Sequence, residues 1–539
     1  MKTLILGNVY TMDHDHPRAE AIGIEGGKIL FVGDREETDT AGYDQVVDYG
    51  EKTIFPGFID THTHVIPAGI FMSGVELSDC KDLPSVFEKM KVHAAGVKKG
   101  KWVIASGFQD KNMAERRFPT RQELDLVSED HPVILCHNDL HPIGFNTRAM
   151  KIIKPDPSKA GVITDAKGTL TGVIEDPACI DMLADVLGKI GIGNIISGCK
   201  LVDEYAVSKG VTTVFGKDVM VILQLRELCK SLFKAEFVPM WYSDGCKDLT
   251  GIRKILKSKN FNRRTCICAF ADGSFDAHSA AVHEPYEDMP DSRGQLLNTD
   301  QEMYDFTMEA HKNGLQVSFH AIGDGAIDQV LRVYERVLQD HPKEDHRLRI
   351  EHFEMPTEEA IKKAAELGVA LGMQPLLIEV CEGMDFSGYE CFVGERVARC
   401  SPYRSILDKG ILVGGGTDYP VTPMEIFHGA RILMEHPVEG ERITLMEALE
   451  MNTCEAAKLG FLENRKGKVC VGMDADLTVV DMDPFAIETA HLDDIRVLHT
   501  YCRGREVYSA SQPIDPWTKM SLLRIGLKLI GKKLRRNRK

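Results

Sequence analysis

Residues 57–64 read GFIDTHTH, a strand-like run of aromatic and β-branched residues that ends in two histidines, His62 and His64. In an extended strand, residues two apart point to the same side, so both imidazoles can face one point and chelate one ion. The same spacing occurs at His14 and His16 in DHDHP, where turn residues predict an exposed loop and no metal. Spacing alone therefore decides little, and the weight of the first pair depends on partners supplied by later strands.

Seven more strand-like runs come after it in order: VTTVFG (211–216), FVPMWYS (237–243), TCICAFAD (265–272), LQVSFHAIG (315–323), LRIEHFE (348–354), VALGMQP (369–375) and ILVGGGTD (411–418). Helix-like segments separate most of them, such as DQEMYDFTMEAHKNG (300–314) and TEEAIKKAAELG (357–368), each closing on a glycine suited to a helix C-terminus. Eight strand–helix units predict an α/β fold of the (β/α)₈ TIM-barrel type over residues 56–464. An excess of about 130 residues between the first and second strands is too long for an ordinary connection and predicts an inserted subdomain at about 70–205. Both chain ends, 1–55 and 465–512, read as short strands punctuated by Gly and Asp turns.

The composition is that of a globular protein, with 43% apolar and 27% charged residues, and 539 residues are enough for more than one structural unit. A net charge of -16 excludes a nucleic-acid binder, which needs a positive footprint. Fourteen cysteines without a CxxC pair predict reduced thiols and a cytoplasmic protein. No apolar run reaches the length of a membrane span. The tail 513–539 departs from the acidic average: nine basic residues lie between Lys519 and Lys539, with Leu522, Ile525, Leu529 and Ile530 near helical spacing. It reads as a basic amphipathic helix, either docked by its apolar face or able to touch an anionic surface.

Metal-competent side chains fall at the ends of the expected strands, where barrel active sites are built. His62 and His64 close the first, His320 the fifth, His352 the sixth and Asp418 the eighth. Imidazole and carboxylate are ligands for a divalent metal, zinc first. Any one of these alone would be a histidine or aspartate with a local structural job; five at corresponding positions point to a metal centre.

The motifs FPGFIDTHTH, FADGSFDAHSAAVHEPY, HAIGDGAID, RIEHFE, MQP, GGGTDYPV and GKVCVGMDADLTVVDMDP, in this order, resemble the amidohydrolase superfamily, and within it the branch of N-substituted formamide deformylases. The resemblance spans the chain up to the basic tail. It implies a barrel (56–464) with a composite β-sandwich from 1–55 and 465–512, and one or two metal ions held by His62, His64, His320, His352 and Asp418. Relatives usually carry a metal-bridging lysine four residues before the DG of the fourth strand, where this chain has Cys268. Its thiolate could bind the ions, a neutral thiol could sit beside a one-metal site, or the change could mark a homologue without activity. Lys217, at the end of the second strand, is a candidate substitute anchor, although a solvent-facing lysine is the simpler expectation. His141, Asn146 and Glu175 match the family's inserted segment as candidate substrate contacts. His278 stands where relatives often carry arginine.

The implied chemistry is hydrolysis of a non-peptide amide or formamide carbon–nitrogen bond in a small molecule. Asp418 would act as general base and then acid, and His352 as ligand or oxyanion partner. Deamination of a cyclic amidine or aminated ring, and a non-catalytic ligand-binding homologue, are the alternatives. A homo-oligomer is compatible with the sequence.

Overall fold

The computed structural model describes residues 1–511 apart from 138–141, 160, 176–177, 179–185, 187–188, 219–232, 244 and 258–265. The basic tail, and His141, lie outside the described residues. Two compact units are formed, Met1–His64 with the described residues from Tyr205 onward, and Val65–Glu204. Among the described residues no helix is long and apolar enough to cross a membrane.

The first four strands are β1 (Lys2–Tyr10), β2 (Arg18–Glu25), β3 (Lys28–Gly33) and β4 (Gln45–Pro56), followed by β5 (Phe58–Thr63). The inserted unit carries β6 (Val75–Glu76), β7 (Val103–Phe108), β8 (Val133–His137), β9 (Ile143–Phe145), β10 (Val162–Thr164) and β11 (Leu170–Ile174). Then come β12 (Val211–Asp218), β13 (Glu236–Tyr242), β14 (Cys266–Phe270), β15 (Gln316–Ala321), β16 (Arg349–His352), β17 (Ala370–Met373) and β18 (Val413–Gly415). The chain ends with β19 (Leu477–Val480), β20 (Val497–Cys502) and β21 (Arg505–Ser509).

The two ends of the chain join in one seven-stranded sheet, in the order β21-β20-β19-β4-β1-β2-β3. Their apolar faces share a core in which Ile5, Val9, Ile22 and Ile54 from the start pack with Val469, Leu477, Val479 and Tyr501 from the end. Neither end can bury this surface alone, which is the physical reason they associate. The inserted unit has its own six-stranded sheet, β10-β11-β9-β8-β7-β6, over a separate core that includes Val86, Met90, Val103, Phe108, Val133 and Leu135.

All eight expected barrel strands are present, parallel and in sequence order from β5 and β12 round to β18. The helices between them start where the sequence places their caps. Thr299 and Glu302 form a capping box at the start of Asp300–Lys312, while Thr357 caps Glu358–Leu367 and Gly368 ends it at φ 66. The barrel closes between its first and last strands: the amide of Asp418 donates to the carbonyl of His62, and the amide of His64 donates to that of Tyr419, both at 2.8 Å. Gly416 permits this approach, because a Cβ there would lie 2.6 Å from the Cβ of His62. The run of glycines before Thr417 and Asp418 thus lets β18 press against β5.

Candidate metal centre

Closure of the barrel gathers three of the expected ligands. His62, His352 and Asp418 each offer a ligand atom, and these atoms lie within 4.8 Å of one another. Asp418 Oδ1 is 3.2 Å from His62 Nε2 and 3.0 Å from His64 Nε2. Neither approach is aligned as a hydrogen bond, and His62 Nε2, His352 Nδ1 and Asp418 Oδ1 are buried polar atoms without a hydrogen-bond partner. Buried polar atoms are ordinarily paired. Three unpaired nitrogen and oxygen acceptors converging on one point fit a divalent cation, as borderline imidazole and hard carboxylate donors.

The backbone around them is unusual. His352 has φ 70 and Asp418 φ 55, left-handed values that cost non-glycine residues of order 1–3 kcal/mol each. Strict alternation along β16 would send Glu351 and His352 to opposite faces. Yet Glu351 lies 2.7 Å from His62, and the His352 ring centroid lies 5.0 Å from that of His62. The left-handed turn at His352 bends the strand end back toward the centre.

Glu351 and Arg349 were not singled out by sequence reading, and both are fully buried at the centre. Glu351 Oε2 meets His62 Nδ1 at 2.7 Å and accepts from Arg349 Nη2 at 2.8 Å, and Ser318 Oγ donates to its other oxygen. Holding Nδ1–H in this way fixes the His62 tautomer and leaves Nε2 facing Asp418, the arrangement carboxylates impose behind ligating histidines. Burial would raise the Glu351 carboxyl, but the Arg349 charge and His62 hold it well below the usual carboxylate range. Gly372 on β17 makes the room, since a Cβ there would fall 2.4 Å from Arg349 Nη2 and 2.5 Å from Glu351 Oε2. The signal was in the sequence: Arg349 and Glu351 are two apart in RIEH, charged, and on the inward face of a barrel strand.

Protonation follows the same logic. Burial pushes His352 down to about 3, assisted by the neighbouring His62, so its nitrogens are free to ligate. Burial likewise lowers His64, and lowers His320 strongly. Burial alone would raise Asp418, but His62 and His64 beside it hold it well below its ordinary value, as an anion. Asp60 braces the arrangement from below, accepting from the His62 amide at 3.0 Å and the Thr417 amide at 3.1 Å.

The other candidates are distributed more widely. His64 stands beside Asp418, 24% exposed, at the edge of the group. His320 packs against the His352 ring at 4.4 Å, but its Nε2 donates to the carbonyl of Gly273 at 3.1 Å. Cys268 is not among the gathered residues: it is fully buried in an apolar cluster with Ile59, Phe215 and Met240, and its thiol donates to the carbonyl of Trp241 at 3.4 Å. Lys217 departs from the solvent-facing expectation, being 4% exposed, because alternation along β12 puts it on the same inward face as Phe215. In the inserted unit Asn146 caps the helix Thr147–Ile153. Its Oδ1 accepts from Ala149 and Val133 and its Nδ2 donates to Ser128 and His131, so the amide is spent on backbone rather than free for a ligand. Glu175 is exposed there. His278 pairs with Asp288 at 2.9 Å beside Tyr286 and Phe392. His14 and His16 are exposed, as expected of the decoy pair.

The chain is similar to known proteins over most of its length. A model of the amidohydrolase family matches residues 45–508. The Bacillus subtilis protein YtcJ is 26% identical over 94% of this chain and 99% of its own length. The N-substituted formamide deformylase of Arthrobacter pascens is 27% identical over 93% of this chain and 97% of its own. Among solved structures, an uncharacterized metal-dependent hydrolase from Pyrococcus horikoshii shares the fold with a TM-score of 0.77 at 21% identity, over 91% of this chain and 99% of that one.

Proposed function

The chain belongs to the amidohydrolase family, and from that premise we propose that it is a metal-dependent hydrolase of non-peptide carbon–nitrogen bonds, amide or formamide, in small molecules. The observation that carries this reading is the convergence of His62, His352 and Asp418 with their ligand atoms buried and unpaired. These three residues would hold the ion, zinc in the first instance, with His64 and His320 at its margin. The likeness to a formamide deformylase supports the bond type. The sheet from both chain ends we read as the composite sandwich of the family, and His278 as a contact for the substrate's far end.

A divalent ion held there supplies Lewis acidity toward a carbonyl oxygen and toward water. The chain's own groups do the rest. Asp418, kept ionised by His62 and His64, accepts the proton of the attacking water and returns it to the leaving nitrogen. Glu351 keeps His62 in one tautomer through the cycle. His352, neutral at working pH, orients rather than transfers.

The test is elemental analysis of the native protein together with turnover of N-formyl and N-acyl amines by the zinc- or manganese-loaded chain. The expected result is metal retention and carboxylate release that disappears in Asp418→Asn. Ammonia release without carboxylate would instead identify a deaminase. Less than about a tenth of an ion per chain, with no turnover, would leave a non-catalytic binding protein.

A further inference from the structure

Beneath the histidines the barrel interior is layered. Side chains two apart on a strand share a face. Phe215 on β12 and Cys266 and Cys268 on β14 belong to one apolar cluster with Ile59 and Met240. The next positions on that face toward the strand ends are Lys217 and Phe270. Lys217 Nζ lies 5.4 Å from the Phe270 ring centroid, Phe270 stacks 4.5 Å from His320, and His320 packs 4.4 Å from His352. On the other side, Gly216 pairs with Thr63 across the strands, which sets Lys217 alongside His64. Lys217 thus enters the histidine layer itself, whereas Cys268 stops one layer below it, roughly 6.6 Å down the strand.

Among the described residues the Lys217 ammonium has no hydrogen bond and no ion pair, and its one polar contact is the face of Phe270. The side chain as a whole is buried, so an ammonium with no bonded partner there favours negative charge brought to it by a ligand. Its positive charge acts on His64, His320 and His352 and on the Glu351 carboxylate as well, so the ammonium is within electrostatic reach of the whole centre.

We propose that Lys217 is a catalytic cation: its ammonium binds the substrate carbonyl oxygen as negative charge develops there, in place of a second metal ion, so that the centre holds a single ion. This rests on the hydrolase reading of the site. Preorganised positive charge aimed at a developing oxyanion is an effective form of transition-state stabilisation, and it is strongest where the charge is shielded from water. A lysine rooted in the histidine layer can do this from β12, whereas Cys268 sits in the apolar cluster below that layer.

The experiment uses the full chain with and without zinc, as wild type, Lys217→Met, Lys217→Gln and Lys217→Arg, all checked by circular dichroism. Acetate serves as the anion probe, titrated by calorimetry, and elemental analysis gives the ions per chain. The expected result is about one zinc per chain in wild type and in every variant, with acetate binding weakened roughly tenfold or more in Lys217→Met and Lys217→Gln and largely kept in Lys217→Arg. Lys217→Gln carries the result if Lys217→Met does not fold. Unchanged acetate affinity in the methionine or glutamine variant overturns the proposal. So do two ions in wild type with one lost on substitution, together with a labelled carbamate carbon after growth of the sample in ¹³C-bicarbonate, which would make Lys217 a carboxylated ligand. A wild-type chain that keeps no zinc but loses acetate binding on substitution supports the cation site and defeats the hydrolase reading alone.

Discussion

His62 and Asp418 meet twice: the Asp418 amide donates to the His62 carbonyl at 2.8 Å, and Asp418 Oδ1 lies 3.2 Å from His62 Nε2. The bond that closes the barrel and the approach that builds the candidate metal centre therefore join the same two residues. Gly416 controls both, because a Cβ there would overlap His62 Cβ at 2.6 Å and its backbone nitrogen at 2.9 Å. Gly416→Ala is expected to lower stability by about 1–3 kcal/mol and to weaken zinc binding at the same time. Denaturant unfolding and elemental analysis check it; a stability loss with full metal content would separate closure from the centre.

Glu351 acts through His62 and is a positioning residue. Glu351→Gln keeps the shape but loses the anion that holds the His62 tautomer and answers Arg349, and zinc affinity should fall about 10- to 100-fold by chelator competition. Glu351→Asp should recover part of it. An unchanged zinc affinity in the glutamine variant would remove Glu351 from the centre.

Removing Arg349 leaves Glu351 as an uncompensated buried charge. Arg349→Met should destabilise the fold by roughly 3–5 kcal/mol, measured by urea unfolding. The double substitution Arg349→Met with Glu351→Leu should cost less than the sum of the two single changes; additivity would contradict a paired role.

Cys268 sits in the apolar cluster below the histidines. Cys268→Ala should cost about 1 kcal/mol of stability, as small core truncations do, and leave the zinc content as in wild type. A halved metal content would restore the thiolate as a ligand.

Away from the centre, burial lifts the Glu382 carboxyl to about 7, against the opposing hydrogen bond from Ser401. Between its unfolded value near 4.5 and about 7, the folded chain keeps a proton that the unfolded chain has released. Stability therefore falls as pH rises through this window and levels off above it. Glu382→Gln should flatten that slope, by an amount on the order of a few kcal/mol across the window, in urea unfolding at pH 5 and pH 7.5. A slope equal to wild type would mean the carboxyl titrates normally.

Much of this protein is decided locally. Eight strands were legible because apolar runs, capping residues and C-terminal glycines such as Thr357 and Gly368 act over a few neighbours, and chain order then fixes strand order. The location of His62, His64, His320, His352 and Asp418 at strand ends comes from the same signals. Which of them converge does not, because that depends on closure between β5 and β18 and on how deep each strand sets its residues in the barrel. Depth separates Cys268 from the histidine layer and admits Lys217 to it, and a left-handed turn brings His352 round where alternation would turn it away. The buried support of Glu351 and Arg349 became visible only when strands β5, β15, β16 and β17 were side by side. Strand identity is a property of neighbouring residues, whereas a metal centre is a property of atoms brought together from opposite ends of the fold.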